Sequence, residues 1–356
     1  MAQIDDADGL QAPGAQTSGL VRTAKGALVL LFYDGFERSA TPGLIGGTYS
    51  QLRRLARFVW RSARRRQTRT GFYTAFLSLE RSLRRAGCDV RVNDFAEAAR
   101  RPDYPIGLAG YPSVLAKAPA SNPRIFGHGD FGDPQAAARL LQDPRYRMLL
   151  APGAWLAALF APLCGDRYRE WPVAIDPDAW PDMSAHPKHI DVVVYDKIRW
   201  RRDEQVPRVL DPAIRHLEAR GLSYVVLRYG DHHQGEFRAA VREARAMLFL
   251  CEHETQGIAY QEAMAANVPI LAWEEGEVVD PNIRAFAPPD HRVSAVPYFD
   301  ERCGSKFRIG EFAERFDAFW AARETYRPRD YVLDRLSMHR AAHDYLTYYE
   351  AAAQGS

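Results

Sequence analysis

Short aliphatic runs recur along this chain, each separated from the next by enough residues for one helix. That alternation restricts the fold more than any other feature. The runs are Ala27–Tyr33, Asp89–Val92, Arg124–Gly127 and Arg147–Leu150, then Ile190–Tyr195, Ser223–Tyr229, Ala246–Cys251 and Pro269–Ala272. Most are apolar without a polar face, as strands buried on both sides of a parallel sheet are. Between the first two lies Thr70–Ala86, an amphipathic helical pattern that stops at Gly87. Strands alternating with helices at this spacing predict parallel sheets covered by helices on both faces. The 356 residues exceed one domain of ~150 residues about twofold. Two such α/β units are therefore expected, meeting near Trp171–Asp178.

The expected organisation is a disordered tail over 1–26, a first doubly wound domain over 27–175 with a basic insertion at 37–70, a second over 176–325, and C-terminal helices over 326–356. The four cysteines are scattered, without a CxxC pair, which suits a reducing cytosol and excludes a zinc ribbon or a disulfide scaffold. The start is acidic (Asp5, Asp6, Asp8) and its first apolar run is only Ala27–Tyr33, so neither a signal peptide nor a membrane span of ~20 residues is expected.

Open parallel sheets bind ligands at the carboxyl ends of their strands, and two facing sheets place a ligand in the cleft between them. The segment with the most chemistry sits at such an end. A strand finishes at Cys251, a loop carries Glu254, and a helix opens near Gly257 with Glu262 just over one turn inside. Glycine admits close backbone approach, and the free N–H groups of Gly257, Ile258 and Ala259 form an anion site. Carboxylates beside a phosphate site suit a ligand that also offers hydroxyls, because ionised Glu only accepts hydrogen bonds.

Glu254-x7-Glu262, followed by Ala-Met-Ala and Val268-Pro269-Ile-Leu-Ala272, resembles the signature of GT-B glycosyltransferases of the GT4 type. The resemblance extends to the glycine-led helix at Gly71, the strand-ending Ile125-Phe-Gly-His128-Gly-Asp130, the crossover Val173–Trp180, and Tyr326–Tyr345. It implies two Rossmann-like domains across a cleft, with a C-terminal helix crossing back to the first. It implies a retaining, metal-independent enzyme without a cofactor, using a UDP- or GDP-type sugar as co-substrate. Glu262 would grip the ribose, Glu254 would face the donor sugar, and the diphosphate would rest on the amides around Gly257. The family's phosphate-binding Arg and Lys fall in Asp196-Lys197-Ile-Arg199-Trp-Arg201-Arg202, whose order departs from the usual one; Arg199 and then Lys197 are the candidates. His128 matches the histidine near the transferred sugar. Asp130 and Gly71 are candidates at the edge of the acceptor or donor site.

Arginines 53, 54, 57, 61, 64, 65, 66 and 69 crowd into the stretch before Gly71, interleaved with Leu52, Leu55, Phe58 and Trp60, and no Asp or Glu occurs between Glu37 and Glu80. A basic amphipathic helix with aromatic anchors suits an anionic membrane surface. Arg53, Arg54, Arg57, Arg61, Arg64 and Arg65 are thus candidate membrane- or anion-binding residues, which would place the enzyme at the inner face of the cytoplasmic membrane, near a glycan or lipid-linked acceptor. No nucleic-acid partner is expected. Through Ile175 the chain holds 24 Lys+Arg against 15 Asp+Glu, and beyond it 23 against 30. Asp176-Pro-Asp178 and His339-x3-His343 have metal-like spacings but sit in the crossover and on a helix face, so no metal is expected there. Two rivals remain: a nucleotide-sugar epimerase or hydrolase of the same fold, and a non-catalytic membrane-docking protein.

Overall fold

The computed structural model of the protein describes residues 25–40, 48, 52, 55, 56, 70–129 and 131–354. Residues 1–24 of the expected tail, Asp130, and the six candidate arginines at 53, 54, 57, 61, 64 and 65 lie outside the described residues.

The first sheet holds β1 (Leu28–Asp34), β2 (Asp89–Val92), β3 (Ile106–Gly110), β4 (Arg124–Gly129), β5 (Tyr146–Ala151) and β6 (Tyr168–Glu170), in the order β2-β1-β3-β4-β5-β6. The second holds β7 (Ile190–Asp196), β8 (Tyr224–Arg228), β9 (Ala244–Leu250), β10 (Ile270–Trp273) and β11 (Gly304–Phe307), in the order β11-β10-β9-β7-β8. Every pairing in both is parallel. Successive side chains of a strand point to opposite faces. Val29, Leu31 and Tyr33 of β1 accordingly join one core cluster and Leu30 and Phe32 another. In β7, Val193 and Tyr195 face one layer, Val192 and Val194 the other. The two-sided α/β architecture expected from the alternation is what forms.

Five helices bear on the site or on the crossing between the domains. The helix α1 (Gly71–Arg85) starts at Thr70, whose side chain accepts from the Tyr73 N–H. It ends in a Schellman arrangement: Gly87 at φ +90° donates to Arg84 O and Cys88 to Leu83 O. The other four are α2 (Ala154–Cys164), α3 (Ile258–Ala265), α4 (Pro328–Arg335) and α5 (Met338–Gln354).

The chain beyond 326 divides between the two domains. Tyr331, Val332 and Leu336 at α4 belong to a core cluster of the second sheet. Met338, Ala342, Tyr345 and Tyr349 of α5 pack with α1 and β1 of the first. A C-terminal helix crosses back as the resemblance implies, but from the break between α4 and α5 and not from 326, because α4 packs on the second sheet. Arg329 fixes the crossing by donating to the carbonyls of Trp180, Ala265 and Pro177. Asp176 and Asp178 of the crossover pair with Arg85 at the end of α1, at 3.1 and 2.9 Å.

Three strands, β3, β6 and β11, have no counterpart in the sequence reading. β3 reads Ile-Gly-Leu-Ala-Gly, poor in β-formers, because a Cβ on Gly107 would collide with the Tyr345 hydroxyl and with Leu31. The glycine is there to admit α5. β6 and β11 are three- and four-residue edge strands, too short for a periodic signal.

Candidate functional site

Strands β7 and β9 are neighbours in the second sheet, so the loops at their carboxyl ends converge. That register brings Lys197 onto Glu254: the ammonium and Oε1 form an ion pair whose side chains are only 13% and 8% exposed. The Lys197 ammonium also lies 4.4 Å from the centre of the Tyr229 ring, at the end of β8. Burial, the largest single influence, would lower the Lys197 pKa, but the Glu254 carboxylate together with Cys251 and Tyr229 outweighs it and raises it, so the lysine is charged.

Glu252, absent from the sequence reading, is buried in the same loop. Its carboxylate accepts from the backbone N–H groups of Arg199 (3.0 Å) and Trp200 (2.9 Å), clamping the β7 loop to the β9 loop. Burial raises its pKa despite these donors. The signal in the sequence was its place two residues before Glu254. Arg199 itself is exposed, its guanidinium 4.0 Å from the Trp200 ring centre and 3.5 Å from the His253 carbonyl. Of the two basic candidates, Lys197 is the one held against Glu254.

Helix α3 follows, with Gly257 at φ +78° as its N-cap. A Cβ at Gly257 would collide with the Tyr260 ring, so only glycine fits. Among the described residues nothing accepts from the N–H groups of Gly257, Ile258 or Ala259, which leaves the anion site open. Glu262, one turn on, is partly buried; the Trp180 side chain hydrogen-bonds to it and Arg238 lies nearby. Desolvation outweighs both and raises its pKa to about 7.

His128, at the end of β4, is 5% exposed. Its Nε2 lies 2.6 Å from the Trp171 carbonyl, its ring leans on the Trp171 indole, and its Nδ1 has no partner among the described residues. Burial lowers its pKa to about 4, so the ring is neutral near pH 7. No hydrogen bond or ion pair joins it to the Glu254 loop among the described residues. Gly71 opens α1 with free space where a Cβ would stand. At the mouth of the first sheet, Asp34 is buried and takes Lys117 (2.7 Å) and the Ala40 N–H (2.9 Å), a cluster the sequence did not signal.

Next to the Glu254 loop, Ser294 accepts from the Glu254 N–H, and Ala295 donates to Glu274. Glu274, with Lys306, Arg308, Glu311 and Arg315, lines a cavity of about 420 Å³ at the carboxyl ends of β10 and β11. Among the described residues no cluster of three or more His, Cys, Asp or Glu has metal-holding geometry.

No family model and no curated protein matches the sequence. Solved structures do match the fold. A sucrose-phosphate synthase from Thermosynechococcus elongatus superposes with a TM-score of 0.56 at 10% identity, over 93% of this chain and 100% of that one. The catalytic domain of Starch Synthase IV from Arabidopsis thaliana, bound to ADP and acarbose, gives 0.51 at 10% identity over the same shares. TarM is also similar (0.45, 11% identity over 69% of this chain), and the chain spans 55% of its length. With two parallel sheets of six and five strands and a helix returning to the first, the chain has the GT-B fold of glycosyltransferases.

Proposed function

We propose that this protein is a glycosyltransferase moving a sugar from a nucleoside-diphosphate sugar to an acceptor hydroxyl, of the GT4 type, retaining and metal-independent. The observation that carries this reading is the Lys197–Glu254 pair beside the open amides of α3, with Glu262 one turn further. A diphosphate would draw Lys197 away from Glu254 and take the N–H groups of Gly257, Ile258 and Ala259. Arg199 is close enough in sequence and exposed enough to join it. Glu254 would then face the donor sugar, and Glu262 would accept from the ribose hydroxyls.

The bond between the anomeric carbon and the phosphate oxygen breaks as the acceptor oxygen attacks from the same face. The acceptor's proton passes to the leaving phosphate. The protein's part is positioning and electrostatic stabilisation of the departing diphosphate. His128, neutral at the end of β4, would line the sugar side. Gly71 and Asp130 would border the acceptor or the donor.

For the acceptor we favour a membrane- or lipid-linked glycan on the cytoplasmic face, with the enzyme docked on the anionic membrane surface by the arginine-rich insertion. Among the described residues of that insertion, Leu52 and Leu55 are 69% and 60% exposed. No helix among the described residues is long and apolar enough to cross a membrane.

Thermal shift against nucleotides and nucleotide-sugars tests the donor site. A ligand at 100 times its dissociation constant stabilises the native state by about 2.7 kcal/mol. A selective shift with UDP or GDP is expected, and Glu254→Ala and Glu262→Ala should lower sugar transfer by orders of magnitude while leaving the fold intact. Transfer at wild-type rates by both variants would refute the site.

A further inference from the structure

The Glu254 loop belongs to the second domain, yet much of what holds it comes from the first. Both backbone groups of Glu254 are tied. Its N–H donates to Ser294 O at 2.9 Å within its own domain, and its carbonyl accepts from the Trp155 indole Nε1 at 2.7 Å across the interface. Trp155 is the second residue of α2, 8% exposed, with His253 and His291 against its ring at 5.8 and 6.1 Å. The residue before α2, Gly153, approaches Thr255 so closely that a Cβ would collide with the Thr255 carbonyl. Gln256 closes the other end of the loop, accepting from Val173 N at 2.9 Å in the crossover.

We infer that Trp155 is a positioning residue: its indole N–H holds the Glu254 loop in register across the domain interface, so that contact between the domains sets where the Glu254 carboxylate points. This rests on the glycosyl-transfer reading for its consequence, though not for its geometry. A buried indole needs an acceptor in any fold. Here the acceptor is the backbone of the residue that pairs with Lys197, and the donor comes from the opposite domain. The carboxylate is one residue's rotamers away from that carbonyl, so releasing the bond frees the pair as well as the loop. The anion site at Gly257 and the Glu262 carboxylate, carried by α3, do not depend on Trp155 directly.

The test removes the donor while keeping the ring: Trp155→Phe, and benzothienylalanine at position 155, which keeps the bicyclic shape without an N–H. Amide exchange of residues 251–257 in the ligand-free protein should accelerate about tenfold. Sugar transfer should fall about 10- to 100-fold in kcat, while nucleoside-diphosphate binding weakens by no more than about twofold, because a Lys197 released from Glu254 stays available to the diphosphate. In a Glu254→Gln background, measured with enzyme in excess, either change should cause no further loss. Unchanged exchange overturns the inference, as does an undiminished loss in the Glu254→Gln background. A parallel loss of nucleotide affinity and kcat would mark a merely structural tryptophan and also overturn it. If the wild type binds no nucleoside diphosphate, the glycosyl-transfer reading falls, and the exchange experiment alone decides whether Trp155 holds the loop.

Discussion

At the residue scale, Glu262 and Glu254 are chemically alike and differently placed. Glu254 has a cation beside it, whereas Glu262 is shielded from water and its pKa rises to about 7. Below its ordinary pKa of 4.5 the Glu262 carboxyl is neutral folded and unfolded, and burial is harmless. As pH climbs from 4.5 to about 7, the unfolded chain ionises first, so the native state loses stability through that window. Glu262→Gln should therefore raise the melting temperature relative to wild type more at pH 8 than at pH 4.5. Hydroxyls donate more strongly to an ionised carboxylate than to a neutral carboxyl, so if Glu262 grips the ribose, nucleotide affinity should strengthen as pH rises through about 7 in the wild type and stay flat in Glu262→Gln, read by calorimetry. Gly257→Ala meets both a left-handed backbone and the Tyr260 ring. It should lose at least ~1 kcal/mol in denaturant unfolding and weaken nucleotide binding with it.

At the element scale, α5 shows how a C-terminal segment can be part of the first domain's core. The Tyr349 hydroxyl accepts from Leu30 N (3.0 Å) in β1 and donates to Pro105 O just before β3. The Trp171 indole donates to Ala341 O (3.0 Å) from the end of β6. Tyr349→Phe strands a buried backbone donor, which costs about 1–3 kcal/mol. Unfolding midpoints should fall accordingly, with the nucleotide dissociation constant unchanged, because α5 touches the first sheet and not the anion site. Helices are expected over 326–356, but the burial of α5 against β1 and β3 rests on Gly107 making room for Tyr345.

For the molecule as a whole, charge and architecture divide along the same line, with excess arginine in the first domain and excess carboxylate in the second. If the first domain docks on a membrane, flotation with anionic vesicles should recover the protein at low salt and release it as ionic strength approaches ~1 M, where screening shortens to about 3 Å. No cofloating protein at low salt removes that part of the reading. The sequence by itself determined that two parallel sheets form, because runs of apolar residues with helices between them can be buried on both faces in few other ways. It also marked Glu254, Gly257 and Glu262, since a loop, a cap and one turn of helix are local and their spacing is written in the chain. Only the tertiary structure decided that Lys197 meets Glu254, that Glu252 clamps the β7 loop, and that Trp155 reaches the Glu254 carbonyl. Those contacts join segments far apart in sequence. Which ones touch is fixed by strand order, register and the docking of two domains, none of which leaves a periodic trace in the residues that meet.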